Sequence, residues 1–347
     1  HLSASTSTVA PAVAAANSAN FSTDPRLYGD IELAPGSDPV HLRVHCSRAL
    51  SLVGPVSGST TLQLEGWSST GSGAGFYRLS AENTNFTGRI VVTEHSGMKQ
   101  PDFNKTNQTL YVTKELNLGG RRPSFDPEAL TLKRCATLRP DQVVTAVELT
   151  TNYNRGVTID GIGRIYTPRV LNKDKSVKYA NGLVLSTELT LKGELHKHGD
   201  GVLTLAGKTT CEDGGVVIVT EGTLALASAE AMGGASLSVA EGATVVVTVD
   251  PTSERGVVFG TVSWTGDDLP LTLEAAAVPA ALEKTDISVA VLTAPTETAT
   301  ALFNGLEIRT RLFKGHVLKA KTLRDNGDGT STIVTEFEPT GLSLFIK

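Results

Sequence analysis

Two histidines of the sequence alternate along one predicted strand. His196 and His198 lie two residues apart, so both side chains are expected on the same face of that strand. Imidazoles that share a face could begin a zinc site, but a pair does not complete the usual ligand set. We therefore interpret His198 as a turn residue and predict no metal site.

A second candidate for cation binding is the run DNGDG at residues 325–329. Its closely spaced oxygens resemble a calcium loop, although the bidentate glutamate that closes such a loop does not follow at the required distance. Asn-Gly and Asp-Gly are also dipeptides that tight turns need. Because HVLKAKTL (316–323) and TSTIVTEF (330–337) flank the run, we predict a β-hairpin with DNGDG as its turn.

Cleavage of sugar chains would need paired carboxylates, or an acidic cluster with a basic side chain nearby. Asp160 in GVTIDGIGR is the best candidate, with Arg155 and Arg164 close in sequence. No second acidic residue accompanies Asp160 in an Asp-Asp or Asp-x-Asp pair. We predict no catalytic residue.

Carbohydrate contact favours surface aromatics, because sugar faces stack on aromatic rings. The candidates are Trp67, Tyr77, Tyr111, Tyr166 and Trp264. Burial in the core is the default expectation for each of them. The sequence does not show whether any two share a face.

The polar segment at residues 101–109 is predicted to be an insertion that projects from the fold and offers a contact surface. Two Asn-x-Thr triplets lie in it, at Asn104 and Asn107, and a third begins at Asn85. Such an insertion is either tolerated at the surface without a role or touches a partner, and the position near Asn104 is the first place to test for one.

The amino-acid composition favours some fold and function classes and excludes others. The 347 residues are 40% hydrophobic but only 5% aromatic, and they include 34 glycines. This balance is typical of many short strands joined by tight turns. A formal net charge of −5, with scattered lysines and arginines, gives no surface for nucleic acid. No stretch reaches the roughly 18 to 20 apolar residues that a membrane helix needs.

The three cysteines, Cys46, Cys135 and Cys211, are far apart and form no C-x-x-C pair. Neither a zinc site nor a disulfide framework is indicated, and we predict buried free thiols.

Short alternating segments, each about one strand long, follow a low-complexity run at the start of the chain. The best helix candidate, residues 275–284, is interrupted by Pro279. Two stretches align at a nearly constant offset, since Gly75 matches Gly201 and Leu79 matches Leu205. A long period made of short strands and glycine turns predicts a solenoid.

These motifs resemble the autotransporter-associated β-strand repeat, a family of large secreted or surface proteins of bacteria. Its pattern is matched in order by NRGVT (154–158), LTLKG (189–193), KHGDGVLTLAG (197–207) and GTLAL (222–226). The earlier stretch, from residue 50, matches less fully, and TTCEDGG (209–215) replaces one polar turn of the pattern. The resemblance implies a right-handed, single-stranded parallel β-helix that is exported and displayed, with no chemistry attached to the repeat itself.

We predict three regions. Residues 1–20 form a leading arm, and residues 21–256 form the β-helix, with degenerate repeat copies at about 27–149 and 150–250. Residues 257–347 contribute further rungs and then an antiparallel cap, because the open end of a solenoid must be covered.

The expected function is that of a non-catalytic scaffold or adhesin, secreted or on the cell surface, that contacts glycans or a host surface. We expect no cofactor. We also expect a longer chain with other domains, and this segment would at least hold those domains apart as a spacer. The alternative is a carbohydrate-active β-helix enzyme, either a polysaccharide lyase or a glycoside hydrolase. An enzyme should present a groove on one face with two or more carboxylates within about 10 Å of each other.

Overall fold

The structure is a computed structural model, and it describes residues 12–13, 18–21, 26–36, 38–45, 48–67, 75–94, 108–141, 143–171, 177–180, 182–212, 214–267, 269–308 and 312–340. Nearly all regular structure in these residues is β. One α-helix is present among them, α1 (Thr296–Gly305), together with short 3-10 helices at Glu115–Leu118, Thr151–Tyr153 and Ala280–Leu282.

The strands of the first half of the chain are β1 (Ala12–Val13), β2 (Ser18–Phe21), β3 (Arg26–Leu27), β4 (Ile31–Glu32), β5 (Val40–His45), β6 (Ala49–Leu52), β7 (Val56–Ser57), β8 (Leu62–Trp67), β9 (Gly75–Leu79), β10 (Ile90–Glu94), β11 (Gln108–Val112), β12 (Asp126–Lys133), β13 (Ala136–Pro140), β14 (Ala146–Leu149), β15 (Arg155–Tyr166), β16 (Arg169–Leu171) and β17 (Val177–Ala180).

The strands of the second half are β18 (Gly182–Leu185), β19 (Leu189–His198), β20 (Val202–Leu205), β21 (Thr209–Cys211), β22 (Val216–Val219), β23 (Thr223–Leu226), β24 (Ser236–Val239), β25 (Thr244–Val249), β26 (Val257–Val258), β27 (Val262–Trp264), β28 (Leu271–Ala275), β29 (Ile287–Pro295), β30 (His316–Asp325) and β31 (Thr330–Pro339).

Strands from successive turns of the chain pair in parallel and form long stacks, which we call faces A, B and C. Face A contains β2, β5, β8, β10, β12, the first part of β15, the first part of β19, and β21. Face B contains β3, β6, β9, β11, β13, the remainder of β15 and of β19, β22, β24 and β27. Face C contains β14, β18, β20, β23, β25 and β28. In the middle of the chain the strands follow the order A, B and C, so each such circuit is one turn of a parallel β-helix. In the first turns, β1, β4 and β7 form a separate three-stranded parallel sheet.

The regular period of the structure is a single turn. On face C, Gly182 pairs with Val202, Val202 with Thr223, and Thr223 with Thr244, which are steps of 20 or 21 residues. The alignment found in the sequence matches Leu79 of β9 with Leu205 of β20, so it superposes a strand of face B on a strand of face C.

Aliphatic side chains fill the interior in register. Leu183, Leu203, Leu224, Val245 and Leu271 are successive partners on face C, and all five are buried. Alternation along β20 and β23 puts these leucines inside and less buried residues, such as Thr204 and Thr223, outside. Burying one such side chain contributes about 1.5–3 kcal/mol, so a column running through many turns provides much of the stability of the stack.

Residues with a left-handed backbone form the corner between faces A and B. Gly161 has a φ of 79° and separates Asp160 on face A from Ile162 on face B. One turn earlier the same corner is made by Arg134 and Cys135, with φ values of 50° and 65°. A corner residue redirects the chain within one position, which is why β15 continues from one face to the next.

The last turn is covered by an antiparallel sheet. Strand β29 pairs in parallel with β26, then β31 pairs antiparallel with β29, and β30 with β31. The predicted hairpin around DNGDG is confirmed. Helix α1 packs on this sheet through Ala299 and Leu302, and Phe313 meets Phe337 edge to face at 5.0 Å.

Two details of this region differ from the sequence-based expectation. The alternating segment LEIRTRLF (306–313) predicts a strand, but its described residues 306–308 follow α1 without strand pairing, and Leu306 is a buried anchor after the helix. The helix itself lies at Thr296–Gly305 rather than at residues 275–284, where only Ala280–Leu282 forms a 3-10 turn. Pro279 stands at the N-cap of that turn, as its fixed φ allows.

The predicted fold class is therefore confirmed: an all-β chain that forms a parallel β-helix with a C-terminal β-rich cap. No helix in the described part of the chain is both long and apolar enough to cross a bilayer.

Candidate binding groove

A polar groove of about 520 Å³ lies on the outside of face A and is called the face-A groove. Strands β5, β8, β10, β12 and β15 carry most of it, which gives a length of about 19 Å at the usual strand spacing. It is lined by Pro39, His41, Arg43, Thr61, Gln63, Glu65, Arg89, Val91, Thr93, Glu94, Glu128, Thr131, Lys133, Arg134 and Asp160.

Parallel register positions the lining residues in columns. Gln63, Val91 and Thr131 are direct partners on β8, β10 and β12. Beside them, Glu65 pairs with Arg43 on one side and with Thr93 on the other. Because alternate residues of a strand point outward, residues two apart in sequence belong to parallel columns. The groove is thus a direct consequence of the stacking.

At one end of the groove, Glu65 is the centre of a hydrogen-bonded cluster. Its carboxylate oxygens lie 2.6 Å from His41 Nδ1 and 2.6 Å from Arg43 Nε. Gln63 Nε2 donates to the same carboxylate at 2.5 Å. Burial acts to raise the pKa of Glu65, but the hydrogen bonds from Arg43 and His41 outweigh it, so the pKa is lowered. Glu65 is therefore an ionised, fixed acceptor.

Further along the groove, Arg89 links the start of β10 to β12. Its Nε and Nη2 donate to Asp126 at 2.9 and 3.1 Å, and its Nη1 donates to Glu128 at 2.9 Å. Lys192 Nζ lies 3.2 Å from the other oxygen of Glu128. The hydrogen bond to Asp126 is the main reason why the pKa of Arg89 is raised. This part of the wall is a network of paired charges.

Lys133 and Asp160 form an exposed ion pair of 2.6 Å across β12 and β15. Each keeps about two-fifths of its side-chain surface open, at 41% and 43%. Such pairs exchange partners at little cost, because an exposed salt bridge contributes only about 0–1 kcal/mol. Lys133 and Asp160 are the charges in the groove that a ligand can most easily recruit.

Glu94 is the most enclosed carboxylate of the groove. Its side chain is fully buried, and Arg134 Nε lies 3.8 Å from its Oε2. This ion pair is longer than the 2.6 Å contact of Lys133 with Asp160.

The groove therefore offers alternating donors and acceptors along a trough, with four carboxylates among its lining residues. Several carboxylates in one groove are also a feature of enzymes that cleave sugar chains. Here each of the four is near a cation: Glu65 to Arg43, Glu94 to Arg134, Glu128 to Arg89, and Asp160 to Lys133. At Glu65 the hydrogen bonds from Arg43 and His41 lower the pKa of the carboxyl, whereas a general acid must hold its proton.

The residues that the sequence grouped around Asp160 do not come together. Arg155 is buried at the start of β15, close to the ring of Tyr153, and burial lowers its pKa to about 10. Arg164 lies past the corner on face B, where its Nε donates to Thr137 Oγ1. Asp160 contacts Lys133 instead. The corner at Gly161 separates Asp160 from Arg164, whereas Arg155 lies before the corner but is buried.

His196 and His198 do share the outer side of face B, as their alternation predicts, with ring centroids 6.1 Å apart. Glu194 lies on the same side, and its Oε2 is 2.9 Å from His196 Nε2, a neighbour that the sequence reasoning overlooked. Burial, followed by the charge of Arg164, lowers the pKa of His198 to about 4. His198 is thus neutral near pH 7.

No group of three or more His, Cys, Asp or Glu side chains that could hold a metal ion occurs in the described residues. In the DNGDG turn the carboxylates serve the turn itself: Asp325 accepts from the backbone N–H of Gly327, and Asp328 accepts from that of Thr330. Cys135 and Cys211 form no disulfide within the described residues; Cys135 is buried, as predicted, whereas Cys211 is only partly buried, and Cys46 lies outside the described residues.

Among the aromatic candidates, Tyr111 and Tyr166 share the outer side of face B, two strands apart. Tyr77 points inward, and its hydroxyl donates to the main-chain oxygens of Leu42 and Glu65. Trp264 is partly buried. The side chain of Trp67, most of the 101–109 insertion and its Asn104 and Asn107 lie outside the described residues.

Sequence reasoning missed the face-A groove because its residues are distributed over strands 22 to 40 positions apart. The one signal available was alternation, since HLR at 41–43, QLE at 63–65 and VVT at 91–93 each place polar or small residues two apart. Only the register shows that these segments are neighbours. Comparison of the chain with models of protein families and with curated protein sequences finds no match.

Proposed function

We propose that this chain is a non-catalytic β-helix scaffold or adhesin, secreted or displayed on a bacterial surface, that holds an extended glycan in the face-A groove. The observation that carries the proposal is the groove itself, about 520 Å³ in volume and lined by alternating cations, carboxylates and hydroxyls. Export and display follow from the resemblance to the autotransporter-associated repeat.

The shape of the groove supports a linear, polar ligand. It runs along the stack, so each turn of the helix repeats similar contacts at about 4.8 Å. Sugar hydroxyls both donate and accept hydrogen bonds, and the groove offers both kinds of partner side by side, such as Arg43 beside Glu65 and Lys133 beside Asp160. A dense charge of one sign would instead have favoured a polyion.

The pairing of charges supports binding without cleavage. Glu65 has a lowered pKa and is held by Arg43, His41 and Gln63. A glycosidase acid works through a raised pKa, and a retaining nucleophile needs a second carboxyl about 5 Å away. Glu65, Glu128 and Asp160 are each held by a cation as acceptors.

The experiment is binding of the full chain to an immobilised glycan array, followed by titration with the best glycan. We expect saturable binding that weakens about tenfold in Lys133→Ala/Asp160→Ala, the loss expected for charge-assisted hydrogen bonds. The matched control is Lys319→Ala/Asp286→Ala, which removes an equally exposed ion pair of 3.0 Å on the cap. If no glycan bound saturably, the binding proposal would be wrong and the chain would be interpreted as a spacer. An equal loss in both double variants would exclude the groove.

A carbohydrate-active enzyme is the second candidate, and the burial of Glu94 favours it. A fully buried carboxyl with a long ion pair has the surroundings of a general acid. Incubation of the bound glycan with the protein, with an assay for new reducing ends, separates the two functions. Release that disappears in Glu94→Gln would establish the enzyme, and we expect no release.

A further inference from the structure

A ladder of alternating arginine and tyrosine runs along the outside of face B. Its members are Arg78 on β9, Tyr111 on β11, Arg139 on β13 and Tyr166 on β15, and we call it the Arg–Tyr ladder. Register makes Tyr111 the partner of both Arg78 and Arg139. The guanidinium carbons lie 4.9 Å and 5.2 Å from the Tyr111 ring centroid, and that of Arg139 lies 4.7 Å from the Tyr166 centroid.

The stacking decides which atoms of the ladder can meet a ligand. Tyr111 has a guanidinium on each side, and Arg139 has a phenol ring on each side, so their flat faces are covered. Because Nε of Arg139 is buried, the part of this guanidinium that is left for a ligand is the outer edge formed by Nη1 and Nη2. An arginine edge presents parallel N–H donors, which match the two oxygens of a carboxylate or sulfate lying in the same plane.

Arg139 is the member whose charge is not matched. Arg78 has a carboxylate partner, since Asp141 Oδ2 lies 3.3 Å from its Nε. Arg139 makes no ion pair within the part of the chain that the structure describes, and its buried Nε makes no hydrogen bond. A guanidinium held between two rings and lacking a counter-charge is a preformed receptor for an anion.

We propose that the Arg–Tyr ladder binds an acidic polysaccharide, with Arg139 receiving a carboxylate or sulfate group of the chain. The two arginines of the ladder lie two strands apart, about 10 Å, so they suit a polymer with repeated negative groups. Tyrosine hydroxyls at the edges of the stack add hydrogen-bond partners for sugar hydroxyls. The ladder is a different surface from the face-A groove, and the inference does not depend on the function proposed for that groove.

Nucleic acid and acidic peptide are the competing polyanions. Single-stranded nucleic acid binds through bases stacked on open aromatic faces, whereas both faces of Tyr111 and one face of Tyr166 are covered by arginines. An acidic peptide supplies carboxylates but few hydroxyls for the tyrosine edges. Both are included as arms of the test.

The test measures binding of the full chain to polygalacturonate, dextran sulfate, uncharged dextran, an oligothymidylate and polyglutamate, by titration at low and at physiological salt. We expect polygalacturonate or dextran sulfate to bind, dextran not to bind, and the affinity to fall with salt. Whichever of the two binds more tightly identifies the anionic group. Arg139→Gln should weaken binding about tenfold or more, whereas Arg139→Lys, which keeps the charge but loses the planar edge, should lie in between.

Arg324→Gln, on the exposed cap hairpin, is the control for general charge effects, and thermal unfolding shows whether each variant is folded. Equal losses in Arg139→Gln and Arg324→Gln would overturn the proposal, as would tighter binding of the oligothymidylate or polyglutamate than of either acidic polysaccharide. Binding of uncharged dextran with unchanged affinity would also overturn it. The groove variant Lys133→Ala/Asp160→Ala should keep acidic polysaccharide binding, so the two proposals fail separately.

Discussion

Lys197 Nζ donates to the main-chain oxygen of Glu221 at 2.8 Å, from one turn of the helix to the next. The same ammonium donates to the carbonyl oxygens of Gly199 and His198 at 2.5 and 3.2 Å. Lys197 thus points into the stack from face B and closes a turn by satisfying three carbonyls. It is fully buried, although lysine is rarely found so.

Burial lowers the pKa of Lys197 to about 8 from an ordinary 10.5. Between these values the unfolded chain holds a proton that the folded chain has released, so the free energy of unfolding should rise with pH from about 8 to 10.5. The rise should be at most about 3 kcal/mol. Urea unfolding at several pH values should show this slope in the wild type and not in Lys197→Met. Lys208→Met, at an exposed lysine, should keep the slope. If all three proteins showed the same slope, a group other than Lys197 would be its cause.

Glu65 gives a prediction of opposite sign at acid pH. Its pKa is lowered from 4.5, so its ionised form stabilises the fold above that pH, and this stabilisation disappears as pH falls through the lower folded value. Wild type should therefore exceed Glu65→Gln in unfolding free energy at pH 7, and the gap should narrow by pH 3. Glu82→Gln, at an exposed surface pair with Lys114, should show little gap at either pH. A gap that widens on acidification would contradict the role of Arg43 and His41.

The aliphatic column of face C should be sensitive to truncation. Leu203→Ala removes a fully buried side chain and should lower the free energy of unfolding by about 2–5 kcal/mol. Its neighbour Thr204 points outward on the same strand. Thr204→Ala should change the free energy of unfolding by less than about 0.5 kcal/mol. Chemical unfolding of the two variants compares the inside and the outside of one strand. Similar losses would mean that the alternation of β20 is misassigned.

The corner at Gly161 should resist substitution for conformational reasons alone. A Cβ built there meets no atom within 4 Å, but the φ of 79° is left-handed. Gly161→Ala should therefore cost about 1–2 kcal/mol in unfolding free energy. Gly182 has ordinary space for a Cβ, with its nearest neighbour at 3.7 Å and no left-handed φ, so Gly182→Ala should be neutral or slightly stabilising. Equal effects of the two substitutions would count against a strained corner.

The sequence is enough to predict features that depend on neighbouring residues. The DNGDG turn follows from local turn chemistry, and the strands at 316–325 and 330–339 follow from the segments beside it. The same-side placement of His196 and His198 follows from alternation alone. Helix α1 was missed because its buried residues are only Ala299 and Leu302, too few to give a clear helical period.

Features that depend on register could not be predicted in this way. Arg43 and Glu65 are 22 residues apart, and Tyr111 and Arg139 are 28 apart, with loops of unequal length between other turns. One additional loop residue leaves each strand unchanged but alters the sequence distance between partners. The alignment of β9 with β20 shows the difficulty, because strands of different faces carry the same glycine-led pattern.

The cap also sets a direction for folding. Strands β30 and β31 are joined by a tight turn and contact each other locally, whereas the pairs on face C join residues that are 20 to 36 positions apart. Because closing longer loops costs more entropy, the hairpin should form first and serve as the template on which β29, β26 and then earlier turns are laid down. Pulse-labelled hydrogen exchange should then show protection that spreads from the C-terminal end toward the start of the stack. The β-helix would then assemble in one direction, one turn after another, starting from its C-terminal cap.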